Sequence, residues 1–216
     1  FAIDLLWNLP LNPWKDSLEF LFTKGSPPIQ RAILELTWNK PDIISGQLII
    51  NKIKKENDVS PYALMCANDR GLKSDISKLD NYLNHDNNSL RIAYAVTLLS
   101  NDEENKMSEE LISKIHKSNN VQNQTELLGF LKRHPHLLSS VYITNYLQNG
   151  NIEIKNEMLR FLINNPNISY FNHIFNLMKK PATEILAAKS LLAMNRKKTY
   201  SKLSDIFYAS GTKIKS

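Results

Sequence analysis

Histidine and cysteine are among the residue types in this chain that could hold a metal ion or act as nucleophiles. Such chemistry needs several side chains at a fixed spacing, as in His-Glu-x-x-His or paired cysteines, and the sequence has neither pattern. The histidines are His85, His116, His134, His136 and His173. His134 and His136 are the close pair, and the proline between them directs their rings apart. We therefore predict a surface turn there and no metal site.

Other residues that could carry chemistry also indicate a protein without catalysis. Cys66 lies alone in the apolar run 62–67, which is typical of a buried thiol in a reducing compartment. The six glycines form no Gly-x-Gly-x-x-Gly, phosphate loop or Gly-x-Ser-x-Gly pattern. A local acidic patch comprises Asp102, Glu103, Glu104, Glu109 and Glu110, and it is typical of a solvated face rather than a binding site. We predict no enzymatic activity and no cofactor.

Positive charge is concentrated at the end of the chain. Residues 1–195 carry 21 bases against 20 acids, whereas residues 196–216 carry six bases against one acid. Such a tail is either a solvated end or a contact for nucleic acid or an anionic membrane surface, at about 1 kcal/mol per cation near a membrane. Its bases include Arg196, Lys197, Lys198 and Lys202. No apolar segment reaches the roughly 18 residues that a bilayer requires, so we expect a cytoplasmic or cytoplasm-facing protein.

The pattern of apolar residues predicts an all-α fold. Glycine is scarce, and no Asn-Gly pair joins two alternating β-branched runs, so the signals for strands are weak. Apolar residues recur instead at helical spacing between polar turns. The predicted helices cover 16–23, 29–39, 41–56, 62–68, 73–83, 90–99, 107–116, 122–133, 137–147, 153–164, 170–178, 182–194 and 199–208.

These helices form an internal repeat. Alternate helices start near Ile29, Ser60, Leu90, Asn123, Ile154 and Thr183, so the pattern recurs at the period of a helical-hairpin repeat. Each repeat then holds two helices of about 15 to 20 Å. One hairpin cannot bury its apolar face alone, but stacked neighbours can. The sequence therefore predicts about six hairpins stacked in a row.

The stretch from Asn84 to Leu99 resembles a HEAT repeat. Asp86 matches the acid of the turn, Leu90 and Arg91 match the opening pair of the second helix, and Ala93, Ala95 and Leu98 match its packing positions. The resemblance implies an α-α superhelix, or α-solenoid, with second helices on the concave face. An armadillo-like or other helical-hairpin array is the alternative. We expect a cap over residues 1–25 with Trp7 and Trp14, an array over 26–195 and a basic helix and tail over 196–216.

This architecture predicts a non-catalytic scaffold that binds another protein or an extended peptide through its concave face. The candidate contacts on the second helices are Arg31, Arg91, Glu126, Lys155 and Glu184. Arg91 has an alternative structural role, in which it bonds the turn acid Asp86.

Two other functions remain open. HEAT-like arrays also form DNA alkylation-repair glycosylases, which are basic and hold DNA in a groove lined with aromatic residues. Here Trp7, Trp14 and Trp38 all lie in the first fifth of the chain, and residues 1–195 are nearly neutral. Binding to phosphates needs roughly six to ten cations on one face, so the sequence disfavours that function. Because the chain begins at Phe1, we also consider a regulatory domain of a larger, membrane or enzyme, protein.

Overall fold

The computed structural model describes residue 6 and residues 9–72, 82–101, 105–194 and 196–211, with the side chains of 196 and 205–211 left out. Several predictions fall outside this description: the position of Trp7, most of the helix predicted at 73–83, the acids at 102–104 and the last lysines of the tail. Trp14, which we expected to pack over the first end of the array, is 49% exposed.

The all-α prediction is confirmed, since the described residues contain α-helices and short 3-10 turns but no strand. Within the described ranges, no helix has the length and apolar character needed to cross a bilayer. The α-helices are α1 (Lys15–Lys24), α2 (Pro27–Leu36), α3 (Gly46–Ile53), α4 (Ser60–Asp69), α5 (Asn88–Ser100), α6 (Lys106–Lys117), α7 (Val121–Leu131), α8 (Ser140–Asn149), α9 (Ile152–Asn164), α10 (Phe171–Met178), α11 (Glu184–Ala193) and α12 (Arg196–Gly211).

Asparagine side chains start three of these helices. Asn87, Asn120 and Asn151 precede α5, α7 and α9, and each side-chain oxygen accepts a hydrogen bond from the amide three residues later, at 2.9–3.1 Å. The first amides of a helix have no partner within the helix, so this bond stabilises the start. The three asparagines precede three successive second helices, so the cap recurs with the period of the predicted repeat.

Among the described helices, two differ most in their bounds from the prediction. The prediction that a helix begins at Pro41 is wrong, because residues 41–44 form a turn and Ser45 caps α3 by accepting a hydrogen bond from the Leu48 amide. The last helix is longer than predicted, since α12 begins at Arg196 and continues to Gly211. The first bases of the predicted tail are therefore part of a helix.

Residues 1–115 form one compact unit. In this unit α1 packs on α2 and α3 packs on α4, while α4 also contacts both α2 and α5. The second helices α2, α4 and α5 are thus consecutive neighbours. Its core consists of apolar side chains with no exposed surface, among them Phe22, Ile33, Ile49, Leu64 and Ile92.

Residues 116–216 form a second compact unit. Here α8 packs on α9 and α10 packs on α11, α9 contacts both α7 and α11, and α8 contacts α10. The helices α7, α9 and α11 follow one another in the same order as the second helices of the first unit. Its fully buried side chains include Leu127, Met158, Leu159, Phe171 and Ile174.

Candidate interaction surface

Polar side chains at the starts of the second helices bond to the end of the preceding helical segment. Each of these side chains donates to a main-chain carbonyl: Gln30 to Gly25 (2.7 Å), Ser60 to Lys52 (2.8 Å), Arg91 to Leu83 (3.1 Å), Gln124 to Ser118 (2.7 Å) and Thr183 to Leu177 (2.6 Å). The last carbonyls of a helix lack partners within the helix, so these bonds stabilise the hairpin turns. This position of the predicted repeat therefore has a structural role.

Arg70 links consecutive hairpins in the first unit. Its guanidinium group donates hydrogen bonds to the carbonyl oxygens of Trp38 (2.8 Å), Ile44 (2.6 Å) and Thr37. The adjacent Asp69 accepts a hydrogen bond from the Trp38 indole at 2.9 Å. Because Thr37 and Trp38 directly follow α2, these contacts join the end of α2 to the end of α4.

A buried lysine makes a second link in this unit. Lys52 is 5% exposed, and its Nζ donates to Gln30 Oε1 at 2.8 Å and to the Thr23 carbonyl at 3.4 Å. Burial, followed by the nearby charge of Lys55, lowers the pKa of Lys52. The Nζ atom also lies 5.4 Å from the centre of the Phe22 ring. Lys52 thus joins α3 to the first hairpin through neutral acceptors and an aromatic face.

The second unit has links of the same kind. The Asn165 side chain, just after α9, donates to the Lys132 carbonyl, just after α7, at 3.4 Å. Ser190 of α11 donates to the Leu159 carbonyl of α9 at 3.0 Å. These two bonds span 33 and 31 residues. The ends of α7 and α9 therefore lie side by side.

Two of the predicted partner contacts, Arg31 and Arg91, lie in the first unit and are half-buried. The Arg31 guanidinium carbon is 5.4 Å from the centre of the Tyr62 ring, a cation–π distance between α2 and α4. Arg91 donates to the Leu83 carbonyl, whereas the sequence suggested Asp86 as its partner. Both guanidinium groups thus make contacts within the chain itself.

The other three predicted contacts lie in the second unit. Glu126 is half-buried and accepts a hydrogen bond from Gln122 at 3.4 Å. Lys155 is half-buried, and burial together with the charge of Lys180 lowers its pKa. Glu184, in the first turn of α11, is exposed. Of the five predicted contacts, Glu184 alone has an exposed side chain.

A charged cluster on α7 and α9 was missed at the sequence level. Lys132 Nζ lies 3.1 Å from Glu157 Oε2, and Arg160 bonds the other oxygen of Glu157. Glu153 lies one turn before Glu157 and is exposed, as is Arg160. Lys132, just after α7, and Glu157, on α9, lie far apart in the sequence, so only a known pairing of α7 with α9 could have indicated the contact. We call Glu153, Glu157, Arg160 and Lys132 the α7–α9 charged surface.

A cavity of about 430 Å³ lies beside the turns that precede α7 and α9. His116 lines it and is 3% exposed, with its ring stacked on Tyr142 at a centroid distance of 3.9 Å. Its Nδ1 is 2.6 Å from the Tyr146 hydroxyl, and burial lowers its pKa to about 4. Its Nε2 is buried without a hydrogen-bond partner among the described residues. The imidazole is therefore neutral near pH 7, and its contacts with Tyr142 and Tyr146 join the end of α6 to α8.

The basic residues near the end of the chain lie on α12. Lys197 and Lys198 are exposed, Lys202 is half-buried with its Nζ 5.5 Å from the centre of the Phe171 ring, and the Arg196 side chain is not described. The Lys202 ring contact ties the start of α12 to α10. These cations are thus held on a helix beside an apolar surface.

The histidine pair does not form part of a larger cluster of metal donors. The rings of His134 and His136 are 6.2 Å apart and nearly perpendicular. Across the described ranges, no group of three or more histidine, cysteine or carboxylate side chains is placed to hold a metal ion. Cys66 is fully buried, and its Sγ lies 3.8 Å from the Trp38 carbonyl.

No family model, curated protein or solved structure matches this chain.

Proposed function

We propose that this chain is an α-solenoid of HEAT-like hairpins and that it binds another protein without catalysing a reaction. The observation that carries this proposal is the recurrence of hydrogen bonds between successive second helices. Their separations are 31 residues for Trp38–Asp69, 32 for Asn68–Ser100, 33 for Lys132–Asn165 and 31 for Leu159–Ser190.

Repeat architecture accounts for this recurrence. In a solenoid each hairpin packs only against its neighbours, so bonds between adjacent second helices join residues that are about one repeat apart. The side chains that bond to the end of the preceding helical segment show the same spacing. Those of Gln30, Ser60, Arg91 and Gln124 each lie about one repeat after the previous one. Such coincidences at two different positions of the hairpin favour a stacked array over an irregular helical domain.

The charges of the second helices support a binding role. Glu153 and Arg160 are exposed on α9, whereas the apolar side chains of that helix are mostly buried. Four of the five residues suggested by the sequence are half-buried, whereas Glu153 and Arg160 of the α7–α9 charged surface are exposed, and so we prefer that surface as the contact region. Charged residues at the rim of an interface chiefly give specificity and speed of association.

Site-specific photo-crosslinking in the source cells tests this proposal. A photoreactive amino acid at Arg160 on α9 should yield a discrete protein adduct, while the same amino acid at the exposed Gln148 on α8 should not. The substitution Glu153→Lys should weaken the adduct formed from position 160. Equal adducts from both positions, or none from position 160, would contradict a partner on this surface.

A DNA-binding assay separates this function from the glycosylase alternative. The scaffold predicts weak duplex binding and no release of alkylated bases. Tight binding with a steep dependence on salt, retained after deletion of residues 196–216, would overturn the proposal in favour of a DNA-binding array.

A further inference from the structure

An apolar groove lies between α11 and α12 in the second unit. It encloses about 470 Å³, and its lining includes Met178, Ala188, Leu191, Leu192, Tyr200 and Leu203. This volume is in the range of ordinary ligand pockets and accommodates a few large apolar side chains.

The groove is bordered by large apolar side chains that water reaches. Leu192 is 79% exposed and Tyr200 is 68% exposed, although both line the groove. Ile185, two helical turns before Leu192 on the same face of α11, is 70% exposed. Single exposed apolar residues are common, but exposed apolar side chains that line a concave apolar groove, as Leu192 and Tyr200 do, are typical of a binding site.

Basic residues are frequent along the helices that form this groove. Residues 178–204 contain seven bases against one acid, Glu184. Lys189 lies between Ile185 and Leu192 on the exposed stripe of α11, and Lys197 lies one turn before Tyr200 on α12. The cations therefore flank the apolar residues at helical spacing.

We propose that this groove binds an acidic amphipathic helix of a partner protein. Apolar side chains on one face of that helix enter the groove, and carboxylates beside them meet Lys189 and Lys197, as in other complexes of a helix in a groove. A recessed apolar groove suits discrete side chains better than the flat surface of a bilayer, and a nucleic-acid backbone has no aliphatic group to fill it. The site shares no residue with the α7–α9 charged surface.

Fluorescence anisotropy of the full chain with a designed peptide tests this inference. The probe is a helical peptide with leucines at i, i+4 and i+7 and glutamates on both sides of that stripe. We expect Leu192→Ser or Tyr200→Ser to weaken binding about tenfold, as truncation of an anchor contact does. Lys189→Glu and Lys197→Glu should also weaken peptide binding. Added salt should weaken it too, because salt screens the attraction between these lysines and the glutamates of the peptide.

Matched variants control for folding and for net charge. Val141, which is 72% exposed on α8 and outside the groove, provides the apolar control Val141→Ser. The exposed Lys24 on α1 provides the charge control Lys24→Glu. Both should leave the affinity within about twofold, and all these variants should keep the wild-type helical circular dichroism because the altered side chains are exposed.

Three outcomes would overturn the inference. Equal binding of a scrambled peptide of the same composition would indicate that charge alone determines binding. Binding of anionic phosphatidylserine vesicles or duplex DNA that depends on Leu192 and Lys197 would assign the groove to a different ligand, and unchanged peptide binding in the groove variants would exclude the site. Arg160→Glu should not alter peptide binding, so failure of the α7–α9 charged surface and failure of this groove are distinguishable.

Discussion

Gly25 and Gly150 occupy the same local environment, although they lie far apart in the chain. Each directly follows the first helix of a hairpin, and its amide donates to the carbonyl four residues earlier, Leu21 or Tyr146. A Cβ atom added at Gly150 would lie 2.6 Å from the Tyr146 oxygen and 2.9 Å from Ile154 Cγ2, with nearly the same contacts at Gly25. Both glycines precede a second helix of the predicted array, so the turn itself recurs.

Gly150→Ala should destabilise the second unit by about 1–3 kcal/mol, because the added methyl group overlaps a backbone oxygen that cannot move freely. The backbone at Gly150 (φ −59°, ψ 152°) is open to any residue, so the expected effect is steric rather than torsional. Urea unfolding followed by far-ultraviolet circular dichroism measures the change.

Gly129→Ala is the control for this substitution. Gly129 lies inside α7, and an added Cβ would meet no atom within 4 Å. Alanine there should stabilise the unit by about 0.5–1 kcal/mol, since glycine is a poor helix former. An equal loss of stability in both variants would show that close approach at the turn is not the cause.

The stability of the second unit should fall on acidification because of His116. Burial lowers the pKa of His116 in the folded protein from 6.5 to about 4. The unfolded chain therefore binds a proton between pH 6.5 and 4 that the folded chain does not, so stability is lost as the pH falls through this window. The lowered pKa of His116 corresponds to a loss of about 3 kcal/mol in the free energy of unfolding across this window. Measurement of the free energy of unfolding at a series of pH values tests this expectation.

His116→Gln provides the comparison, because an amide can still bond the Tyr146 hydroxyl but does not titrate. We expect this variant to be less stable than the wild type at pH 7 and to lose less stability between pH 6.5 and 4. Parallel curves for the two proteins across this range would exclude His116 as the source of the acid sensitivity.

The local signals of the sequence predicted the helices well. The helices after Asn120 and Asn151 were predicted from polar turns followed by apolar residues at helical spacing, and the structure adds that each asparagine side chain accepts a hydrogen bond from an amide within the next turn. The error at Pro41 arose because proline suits the first turn of a helix, but Ser45 offers a capping hydroxyl four residues later.

The surface contacts could not be predicted from local signals. Arg91 follows a turn acid in the sequence, yet its guanidinium group bonds the Leu83 carbonyl, and this choice depends on where the preceding turn ends. The pairing of Lys132 with Glu157 depends on how α7 and α9 align, which the period of the repeat constrains only to within a helical turn. Exposure of Leu192 likewise depends on the placement of α12.

Arg70 should be a major source of stability for the first unit. Three carbonyl oxygens converge on its guanidinium group, those of Thr37, Trp38 and Ile44. Two of these carbonyls follow α2, where a positive charge is also favoured by the helix dipole. Removal of the group takes one donor from each of these part-buried carbonyls, although the Thr37 carbonyl still accepts a hydrogen bond from the Lys40 amide. A buried acceptor that is left unsatisfied costs about 1–3 kcal/mol.

Arg70→Met should therefore lower the free energy of unfolding by roughly 2–5 kcal/mol, and Arg70→Lys should recover only a minor part, because one ammonium group cannot reproduce the planar fork. All three tryptophans of the chain lie within the first unit, so tryptophan fluorescence during urea unfolding reports this change directly. Lys24→Met is the control, since Lys24 is exposed in the same unit and its removal should change the free energy of unfolding by less than about 0.5 kcal/mol. If Arg70→Lys were as stable as the wild type, charge rather than the three directed hydrogen bonds would explain the role of Arg70.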